Sequence, residues 1–116
     1  MGEVEKLPDR DSAWVEEKKL RKYLLNLDHP EGGPKARFFL NRGFTLTGWQ
    51  ELGKAIVAQG VANSVVEVKD AKFGRRFIVE CSCPTPDGSN PCIRSVWEVS
   101  PNDTRPRLIT AHPLRV

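Results

Sequence analysis

The chain has 116 residues, 39% hydrophobic and 28% charged, with nine Gly and nine Pro, a profile that fits one compact domain and leaves little length for a second. Eighteen Lys and Arg against fifteen Asp and Glu give a net charge of +3, too mild to mark a general nucleic-acid binder. No apolar run reaches the ~18 residues of a membrane span and the opening MGEVEKLPDRDS is too polar for a secretory signal, so a cytoplasmic protein with no membrane partner is expected.

Residues 1–15 are charged and broken by Pro8, and read as an arm, loose over residues 1–12, ahead of a single domain spanning 16–116. From Glu16 or Glu17, the apolar positions Leu20, Tyr23, Leu24 and Leu27 recur at spacings of three and four, with Lys18, Lys19, Arg21 and Lys22 between them, which predicts an amphipathic helix with a basic outer face. The stretch NLDHPEGGP, residues 26–34, breaks that helix, and Pro34 suits the first turn of a second. Ala36, Phe39 and Leu40 give this short second helix its apolar positions, and Gly43 stands where a left-handed C-terminal cap belongs. Thr47 is placed to cap a third helix, whose stripe is Trp49, Leu52, Ile56 and Val57 and whose end is Gly60.

After Gly60 the pattern turns β-branched and alternating over residues 61–69, 73–83, 92–99 and 107–111, with short joints that favour antiparallel neighbours. An α+β domain follows, with about three N-terminal helices packed on one face of a four-stranded antiparallel sheet.

The cysteines form Cys81-x-Cys83 and then Cys92, a spacing that lacks the paired knuckles of a zinc site. Their odd number fits reduced thiols on adjacent strand ends, with a Cys83–Cys92 bond available on oxidation; no metal or other cofactor is expected. Both histidines precede proline, His29 in the loop after the first helix and His112 at the end of the last strand. Lys35 and Arg37 lie at the start of the second helix, where free N–H groups and the helix dipole favour an anion. Alternation puts Arg94, Val96 and Glu98 on the face opposite Trp97, so that Arg94 lies away from the main apolar set or partly buried against a partner, and can hold a phosphate or a carboxylate. Thr110 and His112 share one face of the last strand.

The runs Tyr23-Leu24-Leu25-Asn26, HPEGGPKARFF (29–39), Arg94-Ser95-Val96-Trp97 and RLITAHP (107–113) resemble a family of small bacterial domains of unassigned function. The order of helices and then four strands is also similar to the barnase, EndoU, colicin E5/D and RelE group of metal-independent ribonucleases, many of them toxins; this second likeness is one of architecture and residue types. The family carries Tyr where this chain has His112, which argues against an obligatory histidine base at that position.

The loop histidine, the cationic helix start and the Arg, Thr and His on the sheet point to a metal-independent ribonuclease of the toxin type, with RNA as substrate, His29 or His112 in the acid and base roles, Lys35, Arg37 and Arg94 holding the phosphate, Thr110 orienting it, and an acidic antitoxin as protein partner. The other reading is a non-catalytic accessory domain, in which HPEGGPKARFF is a structural turn and its cations contact an acidic protein. Growth arrest on expression separates the two.

Overall fold

The computed structural model describes residues 5–114. A short 3-10 turn, Arg10–Ser12, leads into α1 (Glu17–Lys19), which continues as a π-helical turn over Leu20–Leu24. Then come α2 (Gly33–Asn41), α3 (Trp49–Ala62) and the strands β1 (Val65–Ala71), β2 (Gly74–Ser82), β3 (Cys92–Ser100) and β4 (Asp103–Pro113). The sheet is an antiparallel meander in the order β1-β2-β3-β4. This is the α+β arrangement anticipated from the change in periodicity after Gly60.

Alternation along the strands divides the sheet. Val79, Ile93, Trp97, Leu108 and Ala111 are fully buried on its inner face together with Phe39 of α2 and Leu52 and Ile56 of α3. A polar cluster crosses this core: Gln59 and Ser95 are both fully buried, and the Trp97 indole donates to the Ser95 hydroxyl at 2.8 Å. Glu80, Arg94 and His112 follow one another across β2, β3 and β4 on the outer face.

Helix α3 runs past Gly60 to Ala62, and the glycine, rather than ending the helix, is a seat for the core tryptophan. A Cβ at Gly60 would lie 2.6 Å from Cζ2 of Trp97 and 2.9 Å from Cε2. A helical Gly→Ala change ordinarily gains about 1 kcal/mol. Here Gly60→Ala should instead cost about 1–3 kcal/mol by overpacking, read as a lower midpoint in urea unfolding. A variant as stable as the parent would mean that Trp97 can shift at no cost.

Several boundaries differ from expectation. The N-terminal segment is tied down at three points within an otherwise exposed or half-buried stretch: Leu7 is buried, the Val65 amide donates to the Glu5 carbonyl at 2.8 Å, and Trp14 bridges to β4 through Trp14 N to Pro106 O and Leu108 N to Trp14 O. It therefore covers part of the free edge of β4, which would otherwise present unpaired backbone groups. The first helix stops at Leu24, short of Leu27, after its final turn widens. The hydroxyl that receives the Gly48 amide before α3 is that of Thr45, not Thr47. Gly43, at φ 104°, is the expected left-handed residue after α2.

The cysteine pairing is also corrected: the disulfide joins Cys81 and Cys92, and Cys83 is the free thiol. Cys81 takes a left-handed φ of 123°, and the register sets Ser82 opposite Cys92, so that Cys81 and Cys92 sit 4.0 Å apart at Cα. Cys83 points into the core toward the Ala55 carbonyl, and burial pushes its thiol up to about 12. A thiol held protonated there is a weak nucleophile for exchange with the bridge.

Candidate active site

The turn after α1 and the glycines of the next loop create the site together. The Leu25 amide donates to the Leu20 carbonyl five residues back, at 2.9 Å, which defines the π turn containing Tyr23. The loop then folds back on this turn so closely that a Cβ at Gly32 would lie 2.4 Å from the Tyr23 carbonyl oxygen, and one at Gly33 2.7 Å from that of Leu27. Only glycine permits such an approach. His29 fixes the loop: its Nδ1 accepts the amides of Glu31 at 3.1 Å and Gly32 at 2.9 Å. The neutral ring therefore carries its proton on Nε2.

This fold-back sets Lys35, in the first turn of α2, against Tyr23 and the last strand. The Lys35 ammonium donates to the Tyr23 phenolic oxygen in a short hydrogen bond and to the Thr110 hydroxyl at 3.0 Å. It also lies 4.8 Å from the centroid of the Tyr23 ring, while the Lys19 ammonium lies 5.0 Å from it. His29 meets the same ring edge-on, with centroids 4.8 Å apart.

Burial alone would raise the Tyr23 phenol. The hydrogen bonds of Lys35 and Thr110 and the charges of Lys35 and Lys19 together outweigh it, and the phenol titrates below its ordinary value. Burial lowers the Lys19 ammonium; Tyr23 and Glu16 oppose that pull, and Arg107 and Lys35 add to it.

Two shallow basins flank the cluster. One, of about 390 Å³, is lined by Glu16, Lys18, Lys19, Lys22, Tyr23 and His29. The other, of about 520 Å³, lies between α2 and β4, with Lys35, Arg37, Phe38, Asn41 and His112 among its walls. Tyr23 belongs to the first and Lys35 to the second, so the hydrogen bond between them stands at the boundary.

The residues singled out in the sequence are distributed accordingly. Lys35 and Thr110 are in direct contact, His29 is reached through the Tyr23 ring, and His112 and Arg37 share the second basin with Lys35. Arg94 stands opposite His112 in the β3–β4 register, but its guanidinium is engaged by Glu80, with Nε and Nη2 at 2.7 and 2.6 Å from one carboxylate oxygen. Of the two anions considered for Arg94, the carboxylate is the one the fold supplies. In the sequence pattern Tyr23 is an apolar stripe position and Lys19 part of a solvated face, which marks neither as a site residue. The usable signal was their spacing of four, which stacks an ammonium and a phenol on one side of a helical turn.

Among known structures, the chain resembles one in a contact-dependent growth inhibition toxin–immunity protein complex from Klebsiella pneumoniae 342, with a TM-score of 0.70 at 18% identity over 92% of this chain and 97% of that one. At that identity the likeness is one of fold. A search of curated proteins finds no match. The sequence model of DUF6883, a domain of unknown function, covers residues 6–115, and the chain belongs to that family.

Proposed function

We propose that this domain is a metal-independent ribonuclease of the toxin type. The observation that carries the reading is the Lys35 ammonium joined at once to the Tyr23 phenol and the Thr110 hydroxyl, between two open basins. RNA brings its own nucleophile, so the protein must only take the proton of the 2'-hydroxyl, offset the charge that builds on the phosphate, and give a proton to the departing 5'-oxygen.

Tyr23, with its pKa held down, supplies the base, and Lys35 and Lys19 face the developing negative charge. Thr110 orients the phosphate through its hydroxyl. His29 cannot receive a proton at Nε2 while Nδ1 accepts two amides, so it acts as a donor to a phosphate oxygen from Nε2. The remaining imidazole, His112, is the acid for the leaving oxygen, with Arg37 beside it in the second basin. Arg94 holds the sheet beneath His112 through its pair with Glu80.

The fold shared with a chain of a toxin–immunity complex supports a toxin kept in check by a protein partner. Lys18, Lys19 and Lys22 on one rim make an acidic antitoxin surface the complementary one.

Induced expression from a repressed promoter tests the reading. The wild type should arrest growth and fragment cellular RNA, and the Tyr23→Phe, Lys35→Ala double variant should do neither while folding normally. If the wild type leaves growth and purified RNA intact, the accessory-domain reading replaces this one.

A further inference from the structure

The two basins are chemically unlike. The first carries three lysines around Tyr23 and His29, which suits the phosphates and sugars of a strand. The second has Phe38, Pro34 and Pro113 for walls, with the His112 ring among them. Along α2, residues four apart share a face, so Pro34 aligns with Phe38, and Arg37 with Asn41. The side chains of Arg37 and Asn41 are exposed and hold no hydrogen bond or ion pair among those of the described residues, which leaves a guanidinium and an amide open beside Phe38, a ring that also carries the Arg42 guanidinium 5.0 Å from its centroid, Arg42 itself standing outside the basin.

We infer that this α2–β4 basin is a purine subsite, in which the base stacks against Phe38 and presents its N7 edge to Arg37 and Asn41, with His112 left at its border for the leaving oxygen. The inference rests on the ribonuclease reading for its substrate class. Arginine pairs bidentately with O6 and N7 of guanine, and asparagine with N6 and N7 of adenine; a pyrimidine has no such edge. Aromatic faces add stacking that any base can use, so the discrimination comes from the two polar side chains. Lys35 stands at the end of the basin nearest Tyr23, which puts the base next to the phosphate whose ester would be cut.

Titration of the ¹⁵N-labelled protein with 5'-GMP, 5'-AMP, 5'-UMP and ribose 5-phosphate, followed by amide shifts, tests the subsite without requiring turnover. The purine nucleotides should bind about five-fold or more tightly than UMP and shift amides over residues 37–41 and 112. Ribose 5-phosphate should perturb the surroundings of Lys35 only. Asn41→Ala and Arg37→Ala should each weaken purine binding several-fold, with ribose 5-phosphate binding unchanged in Asn41→Ala. Equal affinity for UMP, or shifts confined to residues 16–29, would overturn the assignment. Purine binding in this basin by a protein that cleaves no RNA would leave the subsite standing and remove the ribonuclease reading. Cleavage with no purine preference in this basin would do the reverse.

Discussion

Lys35→Met should lower the single-turnover rate of RNA cleavage by about 10²–10³-fold while leaving the unfolding midpoint nearly unchanged, because its ammonium is preorganised toward charge that appears only as the phosphate is attacked. Its present partners are the Tyr23 phenol and the Thr110 hydroxyl, both half-buried rather than sealed in the core, so methionine keeps the stem and removes only the charge and the donor. Tyr23→Phe should cost about 10²–10⁴-fold, the range for a positioned base. The double variant should be little worse than the poorer single one, since each residue works through the other. The pH profile separates a catalytic pair from a structural one. A base acts when deprotonated, so activity rises with pH through the Tyr23 pKa. That pKa lies below the ordinary phenol value, and Lys35 is a principal cause of the lowering. The rise should therefore come at higher pH in Lys35→Met than in the wild type. A Lys35→Met protein with full activity, or with the same profile at reduced rate, would remove Lys35 from the chemistry.

What could be read from the sequence was local. The two complete helices and the four strands carry their own periodicity, and Gly43 marks the end of α2 because only its backbone geometry suits that cap. The site is not local. Lys35 and Thr110 are 75 residues apart and meet because the Gly32–Gly33 pair folds onto the carbonyls of Tyr23 and Leu27, a contact that no spacing encodes. The π turn was also hidden, since Leu20, Tyr23 and Leu24 satisfy an ordinary helical pattern while the backbone there bonds five residues back. Cysteine pairing failed as a reading for a related reason: regular alternation says nothing of a left-handed residue at Cys81, and the inward turn of Cys83 comes from the packing of α3. Alternation did place Arg94 on the outer face, but only the register puts Glu80 beside it.

Gln59→Leu should have the opposite signature, a loss of stability with the cleavage rate per folded molecule retained. Gln59 is a fully buried polar side chain on α3. Its Nε2 faces the carbonyls of Val79, Cys81 and Ile93 at 3.3 Å each, and its Oε1 accepts the Ser95 hydroxyl at 2.5 Å, which in turn receives the Trp97 indole. Leucine has nearly the same volume, so little cavity forms, but the Ser95 proton and part of the carbonyl set lose their partner in a dry core. At about 1–3 kcal/mol for each buried group left unpaired, the change should cost about 2–4 kcal/mol, on the order of 10 °C in Tm for a domain of this size. Adding Ser95→Ala exchanges the stranded hydroxyl proton for a stranded Trp97 N–H, so the double variant should be about as unstable as Gln59→Leu and less so than the sum of the two singles, with a coupling of about 1 kcal/mol. Urea unfolding of the two singles and the double measures it. A Gln59→Leu protein as stable as the wild type would mean that the helix is held to the sheet by apolar packing alone. The loss, if found, assigns to this polar cluster the fixing of α3 across β2 and β3, the strands that carry β4 and with it Thr110 to Lys35.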